Sequence, residues 1–316
     1  MKFISIVTPC YNEEENVRNL YNQVKHIFEN LSHYSYEHIF CDNASKDSTV
    51  AILKEVAASD KNVKVIVNAK NFGLHRSGLN GLSKTKGDAV IFLCADFQDP
   101  PELIPQFIKK WEQGYKIVAA VKKYSLEPLY MRMMRKLYYK VINYVSEDTE
   151  QIKNFTGYGL YDRDVVNLIL GTGDHYPYTR GLVCDMGYDI AQIEYIRPER
   201  KKGVSKNTFY HLYSEAMNGV THHSKMPLRF ATFVGFFMAF ISILVAFGYG
   251  IYKIIYWKSF SVGIAPIVIG LFFFSAVQLI FLGIIGEYIG AIYGRLFQRW
   301  LVIEKERINF DDTNNF

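Results

Sequence analysis

Hydrophobic and polar positions along this chain follow two rhythms. Up to about residue 125, short apolar runs alternate with longer amphipathic stretches. The runs at 3–8, 38–41, 63–67 and 89–94 have the length and β-rich composition of strands, and helical periodicity fills 16–30, 48–59 and 74–85 between them. Further strands are expected at 117–121 and 190–196, a long amphipathic helix at 126–145 and a short one at 165–170. Strand–helix alternation of this kind predicts parallel strands joined by crossover helices. Strands that read as continuous apolar runs predict a sheet covered by helices on both faces.

The second rhythm begins near residue 207. Phe209, Leu212, Tyr213, Met217 and Val220 mark an amphipathic helix over 207–223, suited either to a bilayer interface or to packing on the preceding domain. Two long stretches, 230–252 and 259–286, contain no charged residue. Each exceeds the roughly 20 helical residues needed to cross a hydrocarbon core. The expected fold is an α/β domain with a mostly parallel sheet, followed by a two-helix transmembrane hairpin. Its expected parts are a domain over 1–200, a basic loop and juxtamembrane helix over 201–228, two membrane helices within 229–294 (at about 230–252 and 262–286), and a cytosolic tail over 295–316, frayed from 311.

An overall hydrophobic content of 49% hides this segregation. The net charge of +5 comes without a dense Lys/Arg stripe, so nucleic acid is not the expected partner. Arg200, Lys201, Lys202, Lys206, Lys225 and Arg229 instead precede the first apolar stretch, where they suit anionic lipid. Arg295, Arg299, Lys305 and Arg307 follow the second stretch, and Lys253 and Lys258 lie between the two. The balance places both termini and the first domain on the cytosolic side of a plasma (inner) membrane that the chain crosses more than once. The cysteines Cys10, Cys41, Cys94 and Cys184 form no CxxC pair, which fits a reducing compartment; Cys41 and Cys94 fall in apolar runs where a buried thiol is expected. The apolar run at 3–7 is too short for a signal peptide.

Candidate chemistry gathers where the strands end. In open parallel sheets, ligands sit beyond the carboxyl ends of the strands. The first run ends in Thr8-Pro9-Cys10-Tyr11-Asn12-Glu13, the second in Asp42-Asn43-Ala44-Ser45-Lys46-Asp47, and the fourth in Cys94-Ala95-Asp96-Phe97-Gln98-Asp99-Pro100-Pro101. Ribose hydroxyls and base N–H groups want carboxylate acceptors. A diphosphate wants a divalent cation, and that cation wants hard oxygen ligands. The chain has neither GxGxxG nor GxxxxGK[ST], so dinucleotide and P-loop chemistry lose their main support.

At these residues the chain resembles family 2 glycosyltransferases with a GT-A catalytic domain, and among them the polyprenyl-phosphate glycosyltransferases, such as bactoprenol glucosyltransferases and dolichol-phosphate mannose synthases. The resemblance runs from Ile4 to about Ile308 and rests on TPCYNEEENV, on KNFG at 70–73, on ADFQDPPELIP at 95–105 and on GEYIG at 286–290. It implies that Pro9, Tyr11 and Glu13 shape a nucleoside pocket and that Asp42 accepts a hydrogen bond from the base. It also implies that Asp96 and Gln98 bind Mg²⁺ or Mn²⁺ on the donor diphosphate, and that Arg200 and Lys206 grip an acceptor phosphate.

Three departures qualify the resemblance. The family's first aspartate of "DAD" is Cys94 here, a poor ligand for a hard cation. Its "DDGS" is Asp42-Asn43-Ala44-Ser45. Its "TGDFRLMDR" corresponds to Thr156-Gly157-Tyr158-Gly159-Leu160-Tyr161-Asp162-Arg163, which lacks the aspartate after Gly157 that would act as base. Asp99 and Asp162 are the remaining candidates for that role. A lipid phosphate, with its second pKa near ~6, is already an anionic nucleophile at neutral pH and needs a base less than a hydroxyl does.

The expectation is therefore a metal-dependent inverting glycosyltransferase that uses a nucleotide diphosphate-sugar donor and an undecaprenyl or other polyprenyl phosphate acceptor, for cell-envelope glycan synthesis or modification. Two readings stay open at this point: transfer to a hydroxyl of a lipid-linked glycan, and a non-catalytic membrane protein that binds nucleotide sugars. The oligomeric state is open too, a homo-oligomer included.

Overall fold

The computed structural model describes residues 1–123, 133, 152–174, 179–196, 198, 226–256, 264–296 and 302–310. The helices expected at 126–145 and 207–223, the 311–316 tail, and both Arg200 and Lys206 lie outside the described residues. Two units are distinguished, one built on a sheet and the other on two long helices.

The sheet unit opens with β1 (Lys2–Cys10), α1 (Val17–Glu29), β2 (Tyr34–Asp42), α2 (Thr49–Ser59), β3 (Val63–Asn68), α3 (Leu74–Ser83) and β4 (Ala89–Phe92). A 3₁₀ turn (Pro101–Leu103) leads to α4 (Ile104–Glu112), and β5 (Ile117–Lys122) follows. Then come β6 (Phe155–Asp162), α5 (Arg163–Gly171), α6 (Thr179–Asp185), β7 (Ile190–Tyr195) and, far along the chain, β8 (Glu304–Ile308). The strand order is β7-β5-β6-β4-β1-β2-β3-β8. β1 pairs in parallel with β2 and β4, β2 with β3, and β5 with β7. β6 runs antiparallel between β4 and β5, and β8 runs antiparallel to β3. The expected mostly parallel α/β sheet is therefore present, with two antiparallel members.

Alternation along the strands fills a core on each face. Ile4, Ile6, Phe40, Val63 and Val65 pack with Leu20, Val24, Leu53 and Phe107 in one core, while Val7, Ile39, Cys41 and Ile66 pack with Leu79 and Leu82 in the other. In α1 the buried Val17, Leu20, Tyr21, Val24 and Phe28 form a single stripe at helical spacing. Helix α3 lies so close to the sheet that a Cβ on Gly81 would come within 2.4 Å of the Cys41 sulfur and 2.7 Å of Val7 Cγ1.

Within the segment expected as a tail, 295–316, residues Glu304–Ile308 form β8. Ile308 lies opposite Val65, Arg307 opposite Ile66 and Glu306 opposite Val67. Glu304 accepts from Asn80 Nδ2 at 2.7 Å, and Glu306 pairs with Lys54 at 2.7 Å. Asn309, at a φ of 61°, donates its side-chain amide to the carbonyls of Ala57 at 2.6 Å and Val63 at 2.8 Å. A charged segment, EKERI, thus becomes an edge strand through pairing with a partner more than two hundred residues away.

The second unit contains α7 (Met226–Ile255) and α8 (Ile264–Leu296), both longer than the expected spans. Their described side chains leave Phe233, Phe236, Phe237, Phe240, Leu279, Ile280 and Leu282 exposed. Helix α8 includes a stretch, Phe273–Gly290, long and apolar enough to cross a membrane, whereas the apolar stretch in α7, Leu228–Met238, is shorter.

Candidate active site

The sheet order reverses at β1. The chain steps outward from β1 to β2 and β3, then returns to place β4 on the other side of β1. A crevice opens at such a switch point, beyond the carboxyl ends. Val7 lies opposite Phe92, and the Leu93 amide donates to the Val7 carbonyl at 3.0 Å, so the segments after β1 and β4 leave the sheet side by side. Cys10 lies opposite Asp42, which brings the β2 end to the same place. Pro9, Tyr11, Glu13, Asp42, Asp96 and Gln98 thus share one edge of the sheet.

The loops after β1 and β2 clasp each other. Asn12 accepts from the Lys46 amide and donates its own amide to Ser45 Oγ, both at 2.8 Å. The Glu13 amide donates to Thr49 Oγ1 at 2.9 Å, and the Ser48 amide donates to Glu14 Oε2 at 2.8 Å. Glu13 also accepts from Asn16 Nδ2 at 2.6 Å, and its carbonyl receives the Asn16 and Val17 amides ahead of α1. Burial works to raise the Asp47 carboxyl, but bonds from the Thr49 hydroxyl and amide and the Glu14 amide hold it below its usual range. Asn43 replaces an acid of the resembled motif with a connector: its Oδ1 accepts from Asn68 Nδ2 at 3.1 Å and from the Phe72 amide at 2.9 Å. Ala44 takes a φ of 61°, a conformation that suits glycine.

Asp42 is fully buried at the centre of this clasp. Its Oδ2 accepts from the Ser45 amide at 3.0 Å, while Oδ1 is buried with no hydrogen-bond partner. Burial pushes this carboxyl above the usual range, with bonds from Ser45 pulling it partly back. A buried acceptor without a donor is costly in the free protein and ready for a donor from a ligand. Cys10 beside it is buried, which drives its thiol well above its ordinary value, and Asp42 adds to the effect.

Beyond β4, Asp96 is half-buried and its Oδ1 accepts from the Gln98 amide at 3.2 Å across a turn in which Phe97 has a φ of 57°. Its Oδ2 accepts no hydrogen bond from a described residue. Among the described residues, no three of His, Cys, Asp or Glu cluster as a self-contained metal site. Mg²⁺ and Mn²⁺ that accompany phosphates commonly take one or two carboxylates and complete their shell with phosphate and water oxygens. One half-buried carboxylate, Asp96, with Gln98 in the same turn, fits a cation of that kind. Cys94 is partly exposed rather than buried as expected, and its soft sulfur does not add to the set.

The two candidate bases are both held in structural hydrogen bonds. Asp162 ends β6, opposite Ala89 at the amino end of β4, and so lies at the far edge of the sheet from Asp96. There it caps α5 by accepting from the Asp164 amide at 3.1 Å and receives Trp111 Nε1 at 2.7 Å. The antiparallel course of β6, which the sequence reading did not foresee, sends it there. Asp99 lies near Asp96 in sequence but is buried, and its Oδ1 accepts from Tyr195 at 3.0 Å. Tyr158, which follows Gly157 where the resembled family carries its base, is 1% exposed and donates to the Pro100 carbonyl at 2.5 Å. Burial, with Asp99 adding, pushes its phenol far above the usual value, so it stays protonated.

One charged residue at this edge was not anticipated. Lys122 ends β5 at the same carboxyl edge and is only 9% exposed. Its signal was available, since a lysine closing the apolar run IVAAV is unusual at a buried strand end.

The glycosyl transferase family 2 model matches residues 5–169 of this chain. The bactoprenol glucosyl transferase of Shigella phage SfX is 36% identical over 295 residues, covering 92% of this chain and 94% of that protein. The prophage bactoprenol glucosyl transferase homolog of Escherichia coli K12 is 33% identical over 294 residues, with coverage of 92% and 94%. A solved structure of glucosyl-3-phosphoglycerate synthase from Mycobacterium tuberculosis is more distant, at 17% identity and a TM-score of 0.47 over 70% of this chain and 78% of that one.

Proposed function

Because the chain belongs to glycosyl transferase family 2, we propose that it moves a sugar from a nucleoside diphosphate-sugar to a polyprenyl phosphate at the cytosolic face of a membrane. The observation that carries this reading is the extent of the likeness to the bactoprenol glucosyl transferases. It covers nine-tenths of both chains and therefore the long helices as well as the sheet.

The roles follow from the carboxyl edge. Pro9, Tyr11 and Glu13 frame the nucleoside, and Asp42 offers its unpartnered oxygen to a base N–H. Asp96 and the Gln98 side chain would hold a divalent cation that accompanies the diphosphate. When bound, that cation supplies positive charge against the leaving nucleoside diphosphate. Arg200 and Lys206 hold the acceptor phosphate, and the buried Lys122 adds positive charge to the same edge. An acceptor phosphate oxygen attacks the anomeric carbon from the face opposite the leaving group. The new C–O bond forms as the bond to the nucleoside diphosphate breaks, the electron pair leaves with that diphosphate, and the anomeric centre inverts. The acceptor oxygen carries no proton that must be removed at neutral pH, which fits a protonated Tyr158 where a base would stand.

Chain connectivity supports membrane crossing in pairs. β8 follows α8 yet hydrogen-bonds to β3 of the sheet that precedes α7. Both flanks of the helical segment belong to one folded sheet, which supports an even number of crossings between them. We read α7 as the partner of a crossing through Phe273–Gly290 in α8. The 30 residues of α7 span about 45 Å at 1.5 Å per residue, enough for ~30 Å of hydrocarbon.

The test is purified full-length protein in lipid nanodiscs with undecaprenyl phosphate, Mg²⁺ and a panel of nucleotide sugars. The lipid should gain the mass of one sugar with one member of the panel. Release of free sugar with no glycosylated lipid across the panel would overturn the reading.

A further inference from the structure

The loop that carries Asp96 is tied down from the antiparallel half of the sheet. We propose that Tyr195 and Tyr158 are a positioning pair that fixes this loop so that Asp96 presents its carboxylate to the donor-bound cation. The proposal rests on the role given above to Asp96.

The contacts are buried and directional. Tyr195, the last residue of β7, donates its hydroxyl to Asp99 Oδ1 at 3.0 Å, and both residues are 5% exposed. Tyr158, on β6, donates to the carbonyl of the next residue, Pro100, at 2.5 Å. The two rings meet edge to face with centroids 6.0 Å apart, and Phe107 of α4 packs edge-on against Tyr158 at 5.0 Å. Asp96 leaves the sheet from β4, but the loop is held at residues 99 and 100 by strands on the other side of β4.

The segment between needs such a hold. Phe97 has a φ of 57°, and Asp96 Oδ1 accepts from the Gln98 amide at 3.2 Å. A non-glycine residue in this region stays there only when its surroundings over-determine it. Asp96 lies between Leu93, whose amide is tied to the Val7 carbonyl, and the anchored Asp99-Pro100, with Phe97 at positive φ in the turn. Burial keeps the Tyr158 phenol protonated, so its oxygen remains a donor to the Pro100 carbonyl. Aromatic rings with a single hydroxyl suit this task, since their bulk is locked by the core while one atom makes the directional contact.

Removing a phenol oxygen while keeping the ring separates positioning from packing. Full-length wild type, Tyr195→Phe and Tyr158→Phe are titrated with Mn²⁺ in the presence of UDP, or of GDP where UDP does not bind. Bound Mn²⁺ is read from the loss of the free-ion electron paramagnetic resonance signal, with no turnover involved, and thermal melting is recorded alongside. Each variant should melt within a few degrees of wild type and hold Mn²⁺ roughly tenfold more weakly, the scale of one lost hydrogen bond. Its affinity for the nucleotide without metal should be unchanged. Mn²⁺ affinity within twofold of wild type in both variants, whether or not melting falls, would overturn the positioning role while leaving the site reading intact. A wild type that takes up no Mn²⁺ with either nucleotide would instead overturn the role of Asp96, and the pair with it.

Discussion

Replacing Asp42 by Asn should move stability and ligand affinity in opposite directions. Asp42 is fully buried, Oδ2 has one amide donor at 3.0 Å, and Oδ1 has none. Burial raises its carboxyl above the usual range. A group raised in this way adds stability below its ordinary pKa and loses that contribution as pH rises through the folded value. At neutral pH the free protein therefore carries a buried charge at a cost, and Asp42→Asn should melt at a higher temperature than wild type. The gain should shrink on acidification, as the wild-type carboxyl takes up its proton. Binding should respond the other way. A hydrogen bond to a charged acceptor contributes ~1.5–3 kcal/mol, so the dissociation constant for the nucleoside diphosphate should rise roughly 10- to 150-fold. Wild-type affinity should itself fall as pH drops through the raised Asp42 range, at a higher pH than an ordinary carboxylate would give. Isothermal titration calorimetry against pH, with melting curves on the same samples, reads all of this. A more stable variant that binds nucleotide within about threefold of wild type would refute the base contact.

Asp96→Asn should lower turnover by roughly 10²–10³-fold with melting unchanged, the scale seen when one electrostatic contact at developing charge is lost; near-normal turnover with metal present would remove Asp96 from the site. Asn309→Ala should destabilise the sheet unit by about 3 kcal/mol, ~1 kcal/mol for each of its two short hydrogen bonds, to the Ala57 and Val63 carbonyls, and about 1 kcal/mol for alanine at positive φ. Asn309→Gly should cost only about 2 kcal/mol, and denaturant melts of the pair would show wild-type stability in both if β8 were not anchored. His38, buried in β2 against Thr8 Oγ1 at 2.9 Å, has its pKa lowered to about 3 by burial. Unfolded histidine titrates near 6.5, so stability should fall as pH drops from ~6.5 toward 3, by about 1.4 kcal/mol per unit. His38→Phe should flatten that slope, and an unchanged slope would show that other groups set it.

The parallel half of the fold was legible because each of its elements announces itself locally. The runs at 3–8, 38–41 and 63–67 became Lys2–Cys10, Tyr34–Asp42 and Val63–Asn68, and helical periodicity over 16–30 and 48–59 became Val17–Glu29 and Thr49–Ser59. The missed strands share one cause, pairing decided by residues far away. β6, Phe155–Asp162, is interrupted by Gly157 and Gly159 and gains its strand character from β4 and β5 on either side. That lost strand carried Asp162 to the wrong edge. Charged β8 is a strand only because β3 has a free edge to offer. Helix α4 opens with Ile104-Pro105, where a proline near the first turn hid a helix whose apolar stripe is only Ile104, Phe107 and Ile108. At the candidate site, residue types and strand-end positions were enough to single out Asp42, Asp96 and Gln98 as candidates. Their supports, Asn43 as a connector and the two tyrosines behind Asp99, depend on contacts that no local pattern encodes.

Acceptor choice tests the central claim most directly. Wild-type protein in nanodiscs is given the active nucleotide sugar, labelled in the sugar, with polyprenyl phosphate and the corresponding polyprenol at equal concentration in the same bilayer. The account predicts label on the phosphate-bearing lipid alone, in a product with one sugar and an inverted anomeric centre. Label on the polyprenol, or on neither lipid while the nucleotide sugar is hydrolysed, would contradict it.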